Sequence, residues 1–164
     1  MSFQKQVNAN QALGNVGQIS KAHHSFLNVI PAIAADDFVK VGSFVQSKAA
    51  ATNENEVIGA SGKAISGSIL GVVVRDSLKV AGDSTPTLEV KKGENCAILT
   101  EGSIFIEVNV QAKKGKYVFL KTADGSLGFF DTNTESNYTY TGFRVSKGHD
   151  TTSAGLIEIT TARA

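Results

Sequence analysis

Apolar residues in this chain fall into short runs separated by turn residues, from about residue 26 onward. In the run 104–110 an aliphatic residue occupies every second position, which predicts a strand with one buried face. The runs 72–74 and 117–120 are continuously apolar and predict strands that are covered on both faces. Candidate strands are predicted at 26–30, 38–46, 56–60, 63–75, 87–90, 96–100, 104–111, 116–121, 127–130, 138–146 and 155–161.

The turns between these strands have a recognisable chemistry. The pair Asp124-Gly125 is a hairpin signal, and Lys-Lys-Gly turns at 91–93 and 113–115 each precede a strand. Lysines in such turns keep them soluble and discourage edge-to-edge pairing. No segment of ten or more residues has a helical period, and at most one short helix is expected, at 45–51 or 33–38. The pattern therefore predicts an all-β fold, a jelly-roll-like sandwich or a small barrel.

Residues 1–25 differ from the rest, because they are rich in amides and show neither helical nor strand periodicity. Such a segment buries too little apolar surface to offset its ordering entropy alone. Two interpretations stay open: a frayed terminus, or an arm that becomes ordered on another chain. At roughly 3.3 Å per residue, an extended arm reaches a neighbouring subunit. We predict an N-terminal arm at 1–25 and a β domain at 26–164.

Charge and composition exclude several classes of partner. Sixteen basic and fifteen acidic residues give a net charge of +1, so there is no bulk electrostatic case for nucleic acid or a membrane. The longest compact apolar run, 69–74, is far too short to span a bilayer. Residues 26–35 resemble a signal peptide's apolar region but contain Asn28 and Pro31, and we expect an intact cytoplasmic product. The single cysteine, Cys96, excludes an intrachain disulfide and is expected to be a small core residue.

Candidate catalytic groups are few. The histidines at 23–24 are adjacent and would chelate a metal poorly, since neighbours on an extended chain point apart. The segment 59–63 looks like a phosphate loop, but its spacing is too short and Ala64 replaces the required Ser or Thr. The acidic pair 36–37 is typical of a turn or cap. We therefore predict no catalytic, cofactor-binding or metal-binding residues, and a protein that is not an enzyme.

Several segments carry a resemblance to a known family. They are Ser-Phe-Gln-Lys-Gln-Val-Asn at 2–8, Ala-Leu-Gly-Asn-Val-Gly at 12–17, the glycine-containing strand 69–75, the strand pair within 90–108, the Lys-Gly turn and Asp-Gly hairpin within 110–127, and the closing strand pair within 142–159. In order and character these segments resemble the cement or head-decoration proteins of tailed bacteriophages. Residues 48–54 have no strong counterpart there.

The resemblance implies a jelly-roll-like domain that forms homodimers or homotrimers on the capsid exterior and binds the major capsid protein. The expected function is that of a structural virion protein, made in the host bacterial cytoplasm, that cements the phage head. Nucleic acid, membranes and cofactors are not expected as partners. The arm residues expected to contact the capsid are Phe3, Gln4, Val7, Asn8, Leu13 and Val16.

Two alternatives from other classes remain. The first is a carbohydrate- or receptor-binding β-sandwich of a viral fibre, pilus or adhesin, which an exposed tyrosine cluster with acidic residues in a concave site would favour. Tyr138 and Tyr140 are candidates, since alternate residues of a strand share a face. The second is a hydrolase on a jelly roll, which needs carboxylates or histidines that converge.

Overall fold

Twelve β-strands and no helix make up the regular structure of the residues described by the computed structural model, namely 14–20, 27–37, 39–49, 53–75, 88–150 and 152–161. The all-β prediction is confirmed. The strands are β1 (Asn28–Ala34), β2 (Val39–Lys40), β3 (Phe44–Ser47), β4 (Glu56–Gly59), β5 (Ile69–Val73), β6 (Glu89–Val90), β7 (Asn95–Glu101), β8 (Ser103–Val108), β9 (Tyr117–Lys121), β10 (Leu127–Phe130), β11 (Tyr138–Lys147) and β12 (Gly155–Thr161).

The first half of the fold is a closed barrel with the strand order β1-β4-β3-β5-β7. The β1–β4 pair is parallel and the other pairs are antiparallel. Every second side chain points inward, and Val45, Val73 and Ile98 belong to a buried cluster that fills the barrel. The short ribbon of β2 and β6 adds Val39 and Val90 to this cluster, so the barrel interior is packed rather than hollow.

The second half is an antiparallel five-stranded sheet with the order β10-β9-β11-β12-β8. One face packs against the barrel and forms a second core, in which Phe44 of the barrel meets Phe143 of the sheet edge-on at 5.7 Å between ring centroids. Val72 belongs to this second core while its neighbour Val73 belongs to the barrel interior. The continuous apolar run at 72–74 is thus covered on both faces, as predicted.

Several strand predictions and both short-helix predictions differ from the structure. The predicted strand at 38–46 is divided by a turn at 41–43 into β2, which pairs with β6, and β3, which belongs to the barrel. The first strand continues through Pro31 to Ala34. Proline has no backbone N–H to donate, but β4 pairs only with Ile33 and Ala34, so β1 has a single neighbouring strand at Pro31. A helix at 33–38 is wrong for the described residues, which are strand or turn, and one at 45–51 is wrong because 44–47 is β3.

The predicted strand at 63–75 begins only at Ile69 because of a buried glutamine. The side chain of Gln46 is fully buried and donates to the carbonyl oxygen of Ala64 at 3.1 Å. Its own oxygen accepts the backbone N–H groups of Ser66 at 2.8 Å and Gly67 at 2.9 Å. These bonds satisfy the backbone locally and hold the segment as a loop.

Residues 14–20 lie along the outer edge of β8. Gly17 donates its N–H to the carbonyl of Phe105 at 2.8 Å, Phe105 donates to Gln18 at 3.0 Å, and Ser20 donates to Ser103 at 2.8 Å. Ile19 packs against the second core. This segment covers a strand edge that would otherwise offer unpaired backbone groups to other chains.

Candidate functional site

The acidic pair at 36–37 has structural roles in loops. Asp36 accepts the N–H of Gly59 at 3.3 Å and forms an ion pair with Lys63 at 2.5 Å. Asp37 accepts the N–H of Lys92 at 3.0 Å. The lysine of the segment that looks like a phosphate loop is thus bound to a carboxylate, and the segment is the turn that follows β4.

The described residues bring together no metal-binding set. No group of three or more His, Cys, Asp or Glu side chains within them is placed to hold a metal ion. His149 lies in the turn after β11, where its Nε2 is 3.1 Å from the carbonyl oxygen of Ser153. The histidines at 23–24 lie outside the described residues. The described part of the chain also contains no helix with the length and apolarity needed to cross a membrane.

A cleft of about 520 Å³ opens between the barrel and the sheet. Phe44, Ile106 and Leu120 give it an apolar lining, and Glu107 is the one titratable residue that lines it among those the structure describes. Acid–base hydrolysis of the glycosidase kind needs two opposed carboxylates. The cleft does not supply that pair from the described chain.

Only one of the six predicted capsid-contact residues lies in the described part of the chain. Val16 is partly buried and packs closely over Gly42. If Gly42 carried a Cβ, that atom would lie only 2.3 Å from Cγ1 of Val16. Phe3, Gln4, Val7, Asn8 and Leu13 lie outside the described residues. Their contact with a capsid stays a prediction. Of the predicted arm 1–25, residues 14–20 pair with β8, and the rest of the arm lies outside the described residues.

The outer face of the five-stranded sheet, which points away from the barrel, carries a cluster of aromatic rings. Phe119 is 1% exposed and lies 5.4 Å from Phe130 and 5.3 Å from Tyr140, between ring centroids. Two further pairs extend the cluster, Tyr117 with Tyr140 at 5.5 Å and Phe130 with Tyr138 at 4.9 Å. Tyr138 and Tyr140 therefore do share a face, within a larger group.

The rings of this aromatic cluster pack against one another around the buried Phe119. Three of its four ring pairs meet nearly edge-on, so that the rings cover one another instead of forming a flat platform for a sugar. Arg144 places its guanidinium 3.9 Å from the Tyr117 ring centroid and hydrogen-bonds the hydroxyl of that tyrosine. Burial raises the pKa of the Tyr140 hydroxyl. The cluster shields the outer sheet face.

Exposed lysines form the main charged features at the turns. The turn at 91–93 lies beside Asp37 and Glu94, whose carboxylates accept the backbone N–H groups of Lys92 and Lys91 at 3.0 and 3.2 Å. The turn at 113–115 lies instead against the turn that follows β11. Sequence alone made these two turns look alike, since the contacts that distinguish them come from distant parts of the chain.

Comparisons with known proteins give one family. Residues 3–162 match the sequence profile described as "Structural cement protein (E217 gp24/Pam3 gp6)". A chain from the structure titled "The capsid of Myoviridae Phage XM1" is similar in fold, with a TM-score of 0.60, 16% identity, and coverage of 98% of this chain and 97% of that chain. A chain from "The crystal structure of head fiber gp8.5 N base in bacteriophage phi29" gives a TM-score of 0.47 at 11% identity, covering 85% of this chain and 97% of that chain.

No curated protein matches the sequence. The family match nevertheless spans nearly the whole chain, from the predicted arm to the last strand. The chain therefore belongs to the phage structural cement protein family, and its role is the structural one of stabilising a capsid.

Proposed function

We propose that this protein binds the outer surface of the major capsid protein lattice of a tailed phage, as a homodimer or homotrimer, and cements the head without catalysing a reaction. The observation that carries the proposal is the family match over residues 3–162. A virion location follows from the family, and the exterior of the capsid is the position that suits a cement.

The rigidity of the β domain supports this role. The second core joins barrel residues such as Val72 and Leu99 to sheet residues such as Ile104 and Ile157, all of them fully buried. A body whose barrel and sheet are joined by a shared core has little conformational freedom left to lose when it binds. More of the contact energy is then available to resist movement of neighbouring capsid subunits.

The amino-acid sequence of residues 1–13 suits contact with another chain. Phe3, Val7 and Leu13 are spaced apolar anchors among amides that can hydrogen-bond to a partner's backbone. Burying a side chain of this kind contributes about 1.5–3 kcal/mol. The arm therefore contributes most to binding when these side chains are buried against a capsid surface.

The lattice makes modest contacts effective. A specific interface of standard size buries about 1,600 Å² in total, and a cement that bridges two capsid subunits links them through two such contacts. A chain that binds only the assembled lattice shifts the equilibrium toward that lattice by mass action. Stabilisation of the capsid in this way requires no catalysed reaction.

Quantitative mass spectrometry of purified virions tests the proposal. We expect this chain in hundreds of copies per particle, because a cement follows the symmetry of the lattice. Particles made without the gene should release their DNA at a lower temperature than wild-type particles, and the purified protein should restore the difference. Its absence from virions, or unchanged heat resistance of particles that lack it, would contradict the proposal.

A further inference from the structure

The edge of β8 that faces away from β12 is paired along only part of its length. Backbone groups of a strand point to its two sides alternately, and the N–H and C=O of Phe105 point away from β12, where they bond to Gln18 and Gly17. By the same alternation the N–H and C=O of Glu107 point to this edge. No hydrogen bond within the described part of the chain uses either group. The edge is therefore open at Glu107.

The segment 14–20 does not extend along the open part of the edge, because a turn directs it elsewhere. Gln18 donates its N–H to the carbonyl of Asn15 at 3.0 Å, and Gly17 within this turn has a φ of +74°. Beyond the turn, Gly14 packs on the ring of Phe105, where a Cβ on that glycine would lie 2.6 Å from the ring. The chain thus moves onto the outer face of the sheet and leaves the rest of the edge uncovered.

The open edge borders the cleft between the barrel and the sheet. Residues 106–109 line one side of this cleft, together with Phe44, Leu120 and the half-buried Leu127. Side chains of a strand laid along Glu107 would point alternately to the two faces of the sheet. Those on the inner face would enter the cleft over apolar groups, and the one opposite Glu107 would lie beside its carboxylate.

The charge of Glu107 bears on which chain can pair here. Its side chain is exposed, and no ion pair in the described part of the chain includes it. Because the edge is already occupied at Phe105, two copies pairing through it would be centred on Glu107 and would bring two carboxylates together, which is destabilising. A basic side chain opposite Glu107 would be attracted instead. The edge therefore suits a partner segment with a basic residue.

We propose that the open edge of β8 binds an extended segment of the capsid protein, which adds to the sheet as a short strand. That segment carries a basic residue opposite Glu107 and apolar residues on either side of it that enter the cleft. Main-chain hydrogen bonds supply affinity, while the carboxylate and the cleft select the sequence. The inference rests on the proposed function and gives the β body a contact with the capsid in addition to that of the arm.

Two charge-reversal variants, Glu107→Lys and Glu101→Lys, test the inference. Both glutamates are exposed and neither forms an ion pair in the described part of the chain, so the two variants change the net charge equally. Binding to phage heads that lack this protein is measured, and thermal melting establishes that both variants remain folded. We expect Glu107→Lys to bind roughly 10–100-fold more weakly than wild type. Glu101→Lys should stay within about threefold of wild type.

Hydrogen exchange reports the main-chain pairing directly. The amide of Glu107 should exchange rapidly in the free protein and at least about tenfold more slowly on heads, because strand addition gives it a partner. A variant that lacks residues 1–13 should show the same slowing once enough heads are added to saturate it, since this contact belongs to the β body.

Unchanged exchange at Glu107 on heads, undiminished binding by Glu107→Lys, or equal weakening of both variants would overturn the inference and leave the cement function standing. Slow exchange without heads, in an oligomer that Glu107→Lys dissociates, would identify a second copy as the occupant and would also overturn it. Failure of the wild-type protein to bind heads would instead remove the proposed function itself.

Discussion

Replacing Phe143 with alanine should lower the free energy of unfolding by about 3–5 kcal/mol, a large part of the 5–15 kcal/mol typical of a folded domain. Phe143 is 2% exposed and packs edge-on against Phe44, where the sheet meets the barrel. Truncation removes the apolar contact and leaves a cavity between two layers whose backbones cannot close over it.

Urea unfolding measured by fluorescence and by circular dichroism checks this expectation. We expect both signals to move together to a lower midpoint with an unchanged slope, because barrel and sheet share one core. Leu27→Ala is the control, since Leu27 is 51% exposed and its loss should change stability by less than about 0.5 kcal/mol. A loss below about 1 kcal/mol for Phe143→Ala would show that the two layers are not joined through this ring.

Replacing Gly125 with alanine should cost about 2–5 kcal/mol, as the sum of backbone strain and a steric clash. Gly125 has a φ of +66°, and a Cβ there would lie 1.8 Å from the carbonyl oxygen of Ala60. The clash is with backbone, which has no flexible end that can move aside.

Gly62 provides a matched control for this turn. Its φ of +74° is nearly the same, but a Cβ there would meet nothing within 4 Å. Gly62→Ala should therefore cost only the strain, about 1–2 kcal/mol. Thermal melting of both variants separates the two effects, and equal losses would show that the hairpin at Gly125 does not press against the loop at Ala60.

Periodicity along the chain was enough to predict most strands and their buried faces. Ile104, Ile106 and Val108 are buried as their alternation predicts, and the outward-facing Glu107 is exposed. Val110, the last residue of the alternation, is 39% exposed because β8 ends at Val108. Phe105 also points to the outer face, yet it is 4% exposed, because residues 14–20 cover it. The alternation within a strand predicts which side chains share a face, but it does not predict which distant segment covers that face.

The segment 14–20 was missed as part of the folded body for a physical reason. Its pairing with β8 uses backbone groups of Gly17, Gln18 and Ser20, and these bonds hardly depend on side-chain type. An amide-rich stretch without periodicity therefore gives no signal of where it pairs. Likewise, the contact of Arg144 with Tyr117 depends on the register between β9 and β11, which a single sequence does not specify.

We propose that residues 1–13 bind the capsid while the folded β body holds them in place. A comparison of the full chain with a variant that lacks residues 1–13, both added to phage heads without this protein, tests this proposal. The deletion ends before Gly14, so the segment that pairs with β8 is retained and the melting temperature should hardly change. We expect the truncated protein to bind about 100-fold more weakly, which corresponds to about 2.7 kcal/mol of lost contact. Equal affinity and equal protection of the heads against heat by the two proteins would contradict the claim.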